Sequence, residues 1–208
     1  MLRISVTGPE STGKSFLAEQ LASHYQTLFV PEVARHYLNH LGRTYFYEDI
    51  ALIAREQLKM EDQLALKAPG LLFCDTDMLV TKIWSLYKYG KCDPWIEEQA
   101  RIHRYDLYLL CDIDLPWEDD PLREHPGERK ELFEFYKAEL EKMGANYSII
   151  TGIGEQRLRN AISAVKNRFN YNLTPCPPLQ NGVGDRGQGV KEGEVKYLNY
   201  EKIILVLP

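Results

Sequence analysis

Apolar and polar positions along this chain switch between two periods, and the switches mark its elements. Leu2 to Val6 is a short apolar run that predicts a strand; after a turn, Phe16, Leu17, Ala18, Leu21 and Ala22 predict a helix ending near His24. Leu28 to Val30 predicts a second strand. Pro31 breaks it and opens a helix in which Glu32 and Arg35, spaced i, i+3, face the strand end. Glu48 to Lys67 begins with acids, carries Ile50, Ile53, Ala54, Leu58 and Leu64 on one face, and stops at Pro69-Gly70 as a long helix. Leu71 to Asp75 is apolar without alternation and ends in a carboxylate, as expected of a strand buried on both faces.

Further on, Leu79, Ile83, Leu86 and Tyr87 predict a helix ending at Gly90, and Asp93-Pro94 supplies an N-cap and first-turn proline for a short helix to about His103. Tyr105 to Cys111 predicts a fourth strand and Tyr147 to Ile150 a fifth. Between them, Leu132, Phe133, Tyr136, Leu140 and Met143 mark a helix closed by Gly144. Leu158, Ala161, Ile162, Val165 and Phe169 mark the last helix. Strands alternating with helices predict an α/β fold, a three-layer α/β/α domain over residues 1–170 with a central five-stranded parallel sheet and right-handed crossovers.

The pattern changes after Asn170. Five of the 14 glycines fall between Gly182 and Gly193, behind Pro175, Pro177 and Pro178, so residues 171–208 are expected to form a flexible tail. Its apolar end, Tyr197 to Leu207, fits either an added edge strand or a segment without a partner.

Composition narrows the function classes. An apolar content of 44% in 208 residues supports one domain core, and a net charge of -5 argues against a broad nucleic-acid footprint. Phosphate recognition must then be local, which suits a small phosphorylated ligand. Cys74, Cys92, Cys111 and Cys176 show neither zinc nor disulfide spacing, and Cys74 and Cys111 end apolar runs as buried thiols. The chain has no leader pattern and no membrane-length apolar run, so a cytoplasmic protein without a membrane partner is expected.

The chemistry centres on Gly8-Pro9-Glu10-Ser11-Thr12-Gly13-Lys14-Ser15, a G-x-x-x-x-G-K-S pattern between strand and helix. Glycines let the backbone curl so that successive N–H groups and the helix terminus surround phosphates. Gly8, Glu10, Ser11, Thr12, Gly13, Lys14, Ser15 and Phe16 are therefore the expected ATP site, with Lys14 on the phosphates and Ser15 on Mg²⁺. Asp75 stands where the same P-loop architecture places a second metal group, acting through water, or a base for the acceptor hydroxyl. Asp75 is preferred as base over Glu32; the bland alternatives are a strand-end acid bonded to Ser15 and a Glu32–Arg35 ion pair. Asp77 fits either substrate binding or a helix cap.

The loop 112–129 is dense in charge and aromatic groups, with Asp114, Trp117, Asp119, Asp120, Arg123 and Arg129, and is expected to act as a lid. Arg123 and Arg129 suit a clamp on the transferring phosphoryl group, since a guanidinium bonds phosphate in two places; Arg129 fits equally a surface pair with Glu128 or Glu131.

The P-loop, Val30-Pro31-Glu32-Val33-Ala34-Arg35, Phe73-Cys74-Asp75-Thr76-Asp77, Tyr105 to Leu110, and Asp114-Leu115-Pro116-Trp117 with Asp120 and Arg123 together resemble the ribosylnicotinamide kinase domain of NadR-type NAD-salvage proteins over residues 1–170. The resemblance implies a P-loop kinase fold that phosphorylates the 5′-hydroxyl of nicotinamide riboside with MgATP. A helix-turn-helix and the H-x-G-H adenylyltransferase motif of such proteins are not found, so repression and adenylyl transfer are not expected. With that substrate in view, Glu32, Arg35, Asp77, Asp114, Trp117 and Asp120 are the acceptor-binding candidates, Trp117 offering an aromatic face to a cationic ring. Gly152-Ile153-Gly154 after the fifth strand is where related folds hold adenine.

Three function classes follow: a small-molecule kinase, here for a nucleoside; a switch or regulatory ATPase; and a non-catalytic nucleotide-binding module. The acid-rich, aromatic loop favours an acceptor site and hence the kinase, of nicotinamide riboside or of another nucleoside. The third class would need Lys14 or Ser15 to be missing, and both are present. Truncation after Asn170 is expected to leave activity and cooperative thermal unfolding intact; a large drop in melting temperature would show that Ile203 to Leu207 is a working strand.

Overall fold

The computed structural model describes residues 1–169, so the expected tail 171–208 and Cys176 lie outside the described residues. Its five strands are β1 (Leu2–Thr7), β2 (Leu28–Val30), β3 (Leu71–Asp75), β4 (Leu107–Cys111) and β5 (Tyr147–Ile150). All pair in parallel, in the order β2-β3-β1-β4-β5, which is the expected five-stranded sheet. The helices are α1 (Lys14–Tyr25), α2 (Val33–His40), α3 (Tyr47–Ala65), α4 (Met78–Tyr89), α5 (Pro94–Ile102), α6 (Arg129–Lys142) and α7 (Glu155–Phe169).

The three layers follow from which faces are apolar. Ile4, Val6, Phe73 and Leu109 of the sheet share one core with Leu17 and Leu21 of α1 and Ala161 and Val165 of α7. A second cluster joins Ile50, Ala54 and Leu58 of α3 to Met78, Ile96 and Ala100 of α4 and α5. Covered on both sides, all five residues of β3 and of β4 are buried, as their unbroken apolar runs require. Cys74 and Cys111 are buried free thiols within them. Among the described residues no helix is long and apolar enough to cross a membrane.

Register brings the chemistry to one edge. Val6 pairs with Asp75 on one side and Leu109 on the other, while Val30 at the end of β2 pairs with Cys74. The P-loop, Asp75, Glu32 and the loop after β4 therefore all emerge at the carboxyl end of the sheet, where open parallel sheets bind ligands.

Two boundaries differ from expectation. β4 starts at Leu107 rather than Tyr105, because Asp106 is turned aside to close the entry: its Oδ2 accepts the Arg3 N–H at 2.8 Å, and its own N–H reaches Arg3 O at 2.9 Å. Glu32 is the N-cap of α2, with φ -67° and ψ 106°, instead of a helical residue. The Val33 N–H is taken by Gln57 Oε1 at 2.9 Å, so a side chain from α3 does the capping and the Glu32 carboxylate stays free of it.

Gly8 fixes how closely the P-loop can leave the sheet. Its φ is +128°, and an added Cβ would stand 3.0 Å from Cys111 O and 3.3 Å from Cys111 N. Both atoms belong to the backbone of β4 and cannot rotate away. Gly8→Ala is expected to lower stability by about 1–3 kcal/mol, read as a reduced urea midpoint at unchanged slope; an unchanged midpoint would show that the strand ends can separate freely.

Candidate active site

Gly13, at φ 72°, is the N-cap of α1, and no side chain caps that helix. Its amino-terminal N–H groups therefore point into the P-loop as an anion cradle. Lys14 Nζ donates to Pro9 O at 2.7 Å and Thr12 Oγ1 to the same oxygen at 2.8 Å, bending the loop over itself. An added Cβ at Gly13 would stand 2.9 Å from Leu115 Cδ1, so the cradle and the loop after β4 are already in contact.

That contact is extended by side chains of the P-loop. Glu10 Oε2 accepts the backbone N–H groups of Glu124 and His125 at 3.0 and 3.1 Å. Ser11 Oγ accepts the Glu118 N–H at 2.9 Å and Arg123 Nη1 at 3.3 Å. Arg129 makes no ion pair with Glu128 or Glu131; its guanidinium donates to Ser11 O at 3.1 Å and to Leu115 O at 3.0 Å. The loop 112–129 is thus docked on the P-loop from both of its ends.

Two carboxylates converge beside the cradle. Asp75 is 1% exposed; burial, and then the negative charge of Glu32, push its carboxyl up to about 7 against the pull of Ser15, Lys14 and Arg35. Its Oδ1 is buried without a hydrogen-bond partner. Among the described residues no group of three or more His, Cys, Asp or Glu could hold a metal alone. An unpartnered carboxylate oxygen beside a serine hydroxyl nevertheless fits an ion that arrives with phosphate oxygens as its other ligands. Gln57, 1% exposed, braces both acids: its amide donates to Pro31 O at 3.2 Å and Asp75 O at 3.5 Å, while its carbonyl accepts from Val33.

The cradle opens into one cavity of about 510 Å³. Gly8 to Phe16 line one end, including Glu10, Ser11, Thr12, Gly13, Lys14 and Ser15 of the expected ATP site. Glu32, Arg35, Tyr45, Trp84, Tyr87 and Glu124 line it as well, with Arg123 from the 112–129 loop. Trp84 Nε1 donates to Tyr45 Oη at 3.0 Å with the rings 5.1 Å apart. Tyr45 Oη donates to Glu124 Oε2 at 2.9 Å, and Lys88 Nζ binds Glu124 Oε1 at 2.6 Å. The lid is therefore pinned to α4 as well as to the P-loop.

Several residues expected at the acceptor have other partners and do not line this cavity. Asp77, fully buried, accepts the Val80 N–H at 2.8 Å and the Ser5 hydroxyl, so it caps α4. Asp114 pairs with Arg157 and accepts the Gly152 N–H, tying the loop after β4 to the turn after β5. Trp117 Nε1 donates to Asp119 at 2.8 Å, and the ring faces Arg129, 5.9 Å away. Asp120 binds Arg35 Nη1 at 2.8 Å, so it acts on the cavity through Arg35, which also lies 3.7 Å from Glu32. Asp75 and Arg129 also stand behind the wall instead of on it.

Sequence reading missed the aromatic wall. Its signal was present: Ile83 and Tyr87 belong to the stripe that predicts α4, and with Val80 and Trp84, which that stripe leaves out, they follow i, i+3, i+4, i+7 and all line the cavity. Tyr45 and Glu124, in connecting segments, carried no such period.

A family model described as an AAA domain matches residues 3–157. The trifunctional NAD biosynthesis/regulator protein NadR of Escherichia coli (strain K12) is 31% identical over 124 residues, which are 58% of this chain and 30% of that protein. The chain therefore spans about a third of that relative's length. A NadR protein crystallised in complex with NR superposes with a TM-score of 0.70 at 25% identity, covering 82% of this chain and 52% of that one. Thymidylate kinase from Ehrlichia chaffeensis shares the fold, with a TM-score of 0.53 at 14% identity over 79% of this chain and 98% of the kinase. The P-loop kinase-like α/β/α architecture is shared with both of these structures.

The raised Asp75 carboxyl has a consequence for stability. Its ordinary value is 3.8 and its folded value about 7, so between these the folded chain holds a proton that the unfolded chain releases, and stability falls as pH rises through that window. In protein free of nucleotide and metal, Asp75→Asn should match the unsubstituted chain near pH 4 and exceed it in urea midpoint at pH 8. Equal midpoints at pH 8 would show that the carboxyl is not held up by burial.

Proposed function

The chain belongs to the AAA-domain family of that model, and on this premise we propose that it transfers the γ-phosphoryl group of MgATP to the 5′-hydroxyl of nicotinamide riboside, giving nicotinamide mononucleotide. The observation that carries the proposal is that a phosphate cradle and an acid-rich, aromatic pocket share one cavity. Direct transfer, in which the bond from the γ-phosphorus to ADP breaks as the bond to the acceptor oxygen forms with no covalent enzyme intermediate, needs donor and acceptor in line in one compartment.

At the donor end the P-loop backbone and Lys14 take the phosphates. Ser15, on the cavity wall, and Asp75 behind it, acting through water, are the residues that would hold Mg²⁺, which when bound neutralises charge on the phosphate oxygens. Arg123, on the cavity wall and bonded to Ser11, is the clamp from the lid; Arg129 braces the loop that carries it.

At the acceptor end the choice of base changes from the sequence reading. Glu32 lines the cavity and Asp75 does not, so Glu32 is the carboxylate able to reach a hydroxyl and take its proton, as distance must be satisfied before acidity matters. Arg35, held by Asp120 and Glu32, is placed to bond the ribose. Tyr45, Trp84 and Tyr87 offer ring faces to a pyridinium, a cation that an aromatic wall attracts by about 0.5–2 kcal/mol. The similarity to NadR, and to a NadR structure containing NR, supports the same ligand.

Purified protein with MgATP is expected to phosphorylate nicotinamide riboside in preference to uridine, cytidine, thymidine and adenosine, scored by mass spectrometry. Phosphorylation of another nucleoside with nicotinamide riboside untouched would overturn the substrate and keep the kinase. Lys14→Ala should fold normally and lose at least about a hundredfold in kcat, since it removes a charge aimed at the transition state; near-normal turnover would remove the P-loop from the mechanism. Glu32→Gln should lower kcat at unchanged magnesium requirement, whereas Asp75→Asn should raise that requirement. The reverse pattern would restore Asp75 as the base.

A further inference from the structure

The turn after β3 concentrates unfavourable features in three consecutive residues. Asp75 and Asp77 are buried carboxylates. Between them Thr76, also buried, has a φ of 77°, a left-handed conformation that is a genuine outlier for a β-branched residue. Thr76 Oγ1 is buried without a hydrogen-bond partner, and its N–H reaches Val6 O only at 3.4 Å. Glycine would adopt this conformation without steric cost. The chain therefore keeps a strain that one substitution could remove.

The strain has a geometric result. In an extended strand, residues two apart present their side chains to the same face, so Asp75 and Asp77 would compete for one environment. The left-handed residue between them separates the two. Asp75 turns toward Ser15, Lys14, Arg35 and Glu32, whereas Asp77 turns to the Ser5 hydroxyl and caps α4 through the Val80 N–H. Asp75 pairs with Val6 in the sheet and its carbonyl meets the Gln57 amide at 3.5 Å, so its backbone is held from the strand side and the turn that follows sets the other side.

We propose that Thr76 is a positioning residue for phosphoryl transfer: its left-handed backbone, fixed by a buried β-branched side chain, aims the Asp75 carboxylate at the P-loop. This rests on reading the site as a phosphoryl-transfer centre. Thr76 does not line the cavity and acts through Asp75, not on the substrate. Strain held at a functional site in this way is preorganisation, and it sets stability against activity.

The test is Thr76→Gly, made alone and together with Asp75→Asn. In metal- and nucleotide-free protein, Thr76→Gly should melt at or above the temperature of the unsubstituted chain. With MgATP and nicotinamide riboside it should lose at least about tenfold in kcat, since small misplacements of a reacting group are costly, while KM for ATP stays within about twofold. In the Asp75→Asn background the same glycine should cost no further kcat, because the two residues act as one unit. A full kcat in Thr76→Gly overturns the proposal, as does a joint fall of melting temperature and kcat, which would make Thr76 a packing residue. An additive loss in the double variant also overturns it. Absence of phosphoryl transfer by the unsubstituted chain would instead overturn the kinase reading on which it stands.

Discussion

The docking of the 112–129 loop on the P-loop turns an open sheet edge into a walled cavity, and the rest of the site depends on it. Glu10 and Ser11 lie inside the phosphate-binding motif, yet their side chains hold lid backbone at Glu118, Glu124 and His125. Arg129 completes the contact from the other direction by bonding Ser11 O and Leu115 O. Because these bonds join the motif to the lid directly, a change in phosphate occupancy and a change in lid position share the same few atoms. The Tyr45, Lys88 and Glu124 network then fixes the far side of the loop to α4, so the aromatic wall and the P-loop cradle are joined by one loop.

Much of the fold was legible because its signals are local. The unbroken run Leu71 to Asp75 matches a strand buried in all five residues, and Asp93 caps α5 through the Trp95 N–H at 2.8 Å, as Asp93-Pro94 announced. The P-loop residues were equally legible, since glycine, lysine and serine there answer a requirement of the backbone itself. Acceptor residues were not, because their roles depend on partners distant in sequence. Asp114 finds Arg157 and Asp120 finds Arg35, and no spacing rule announces either pair. Trp84 was hidden for a different reason: α4 is apolar on more than one face, and the stripe that predicts it shares Ile83 and Tyr87 with the cavity wall but omits Val80 and Trp84.

The residues that obey local rules least are gathered where chemistry is proposed. A buried acid with a raised proton affinity, an unpartnered carboxylate oxygen and a left-handed threonine all fall within the Asp75–Thr76 dipeptide. Ser11, at φ 55° in the P-loop, adds another non-glycine residue in the left-handed region. Gln26 after α1 is left-handed as well, and the Tyr25 hydroxyl is buried without a partner, but the Asp75–Thr76 dipeptide gathers several such features in two residues, a density expected of a functional site. Gln57 shows how the cost is contained, by bracing the ends of β2 and β3 from a helix that contributes nothing to the cavity wall.

The central claim is that donor and acceptor occupy one compartment and that the phosphoryl group passes between them and not to water. ATP turnover followed at once as ADP and as nicotinamide mononucleotide, with and without nicotinamide riboside, tests it most directly. The account predicts slow ADP release alone, a rise of at least about tenfold on adding the riboside, as expected when binding an acceptor completes a site, and one mononucleotide for each ADP. ADP and inorganic phosphate released at the same rate with or without the riboside, and no mononucleotide, would contradict it.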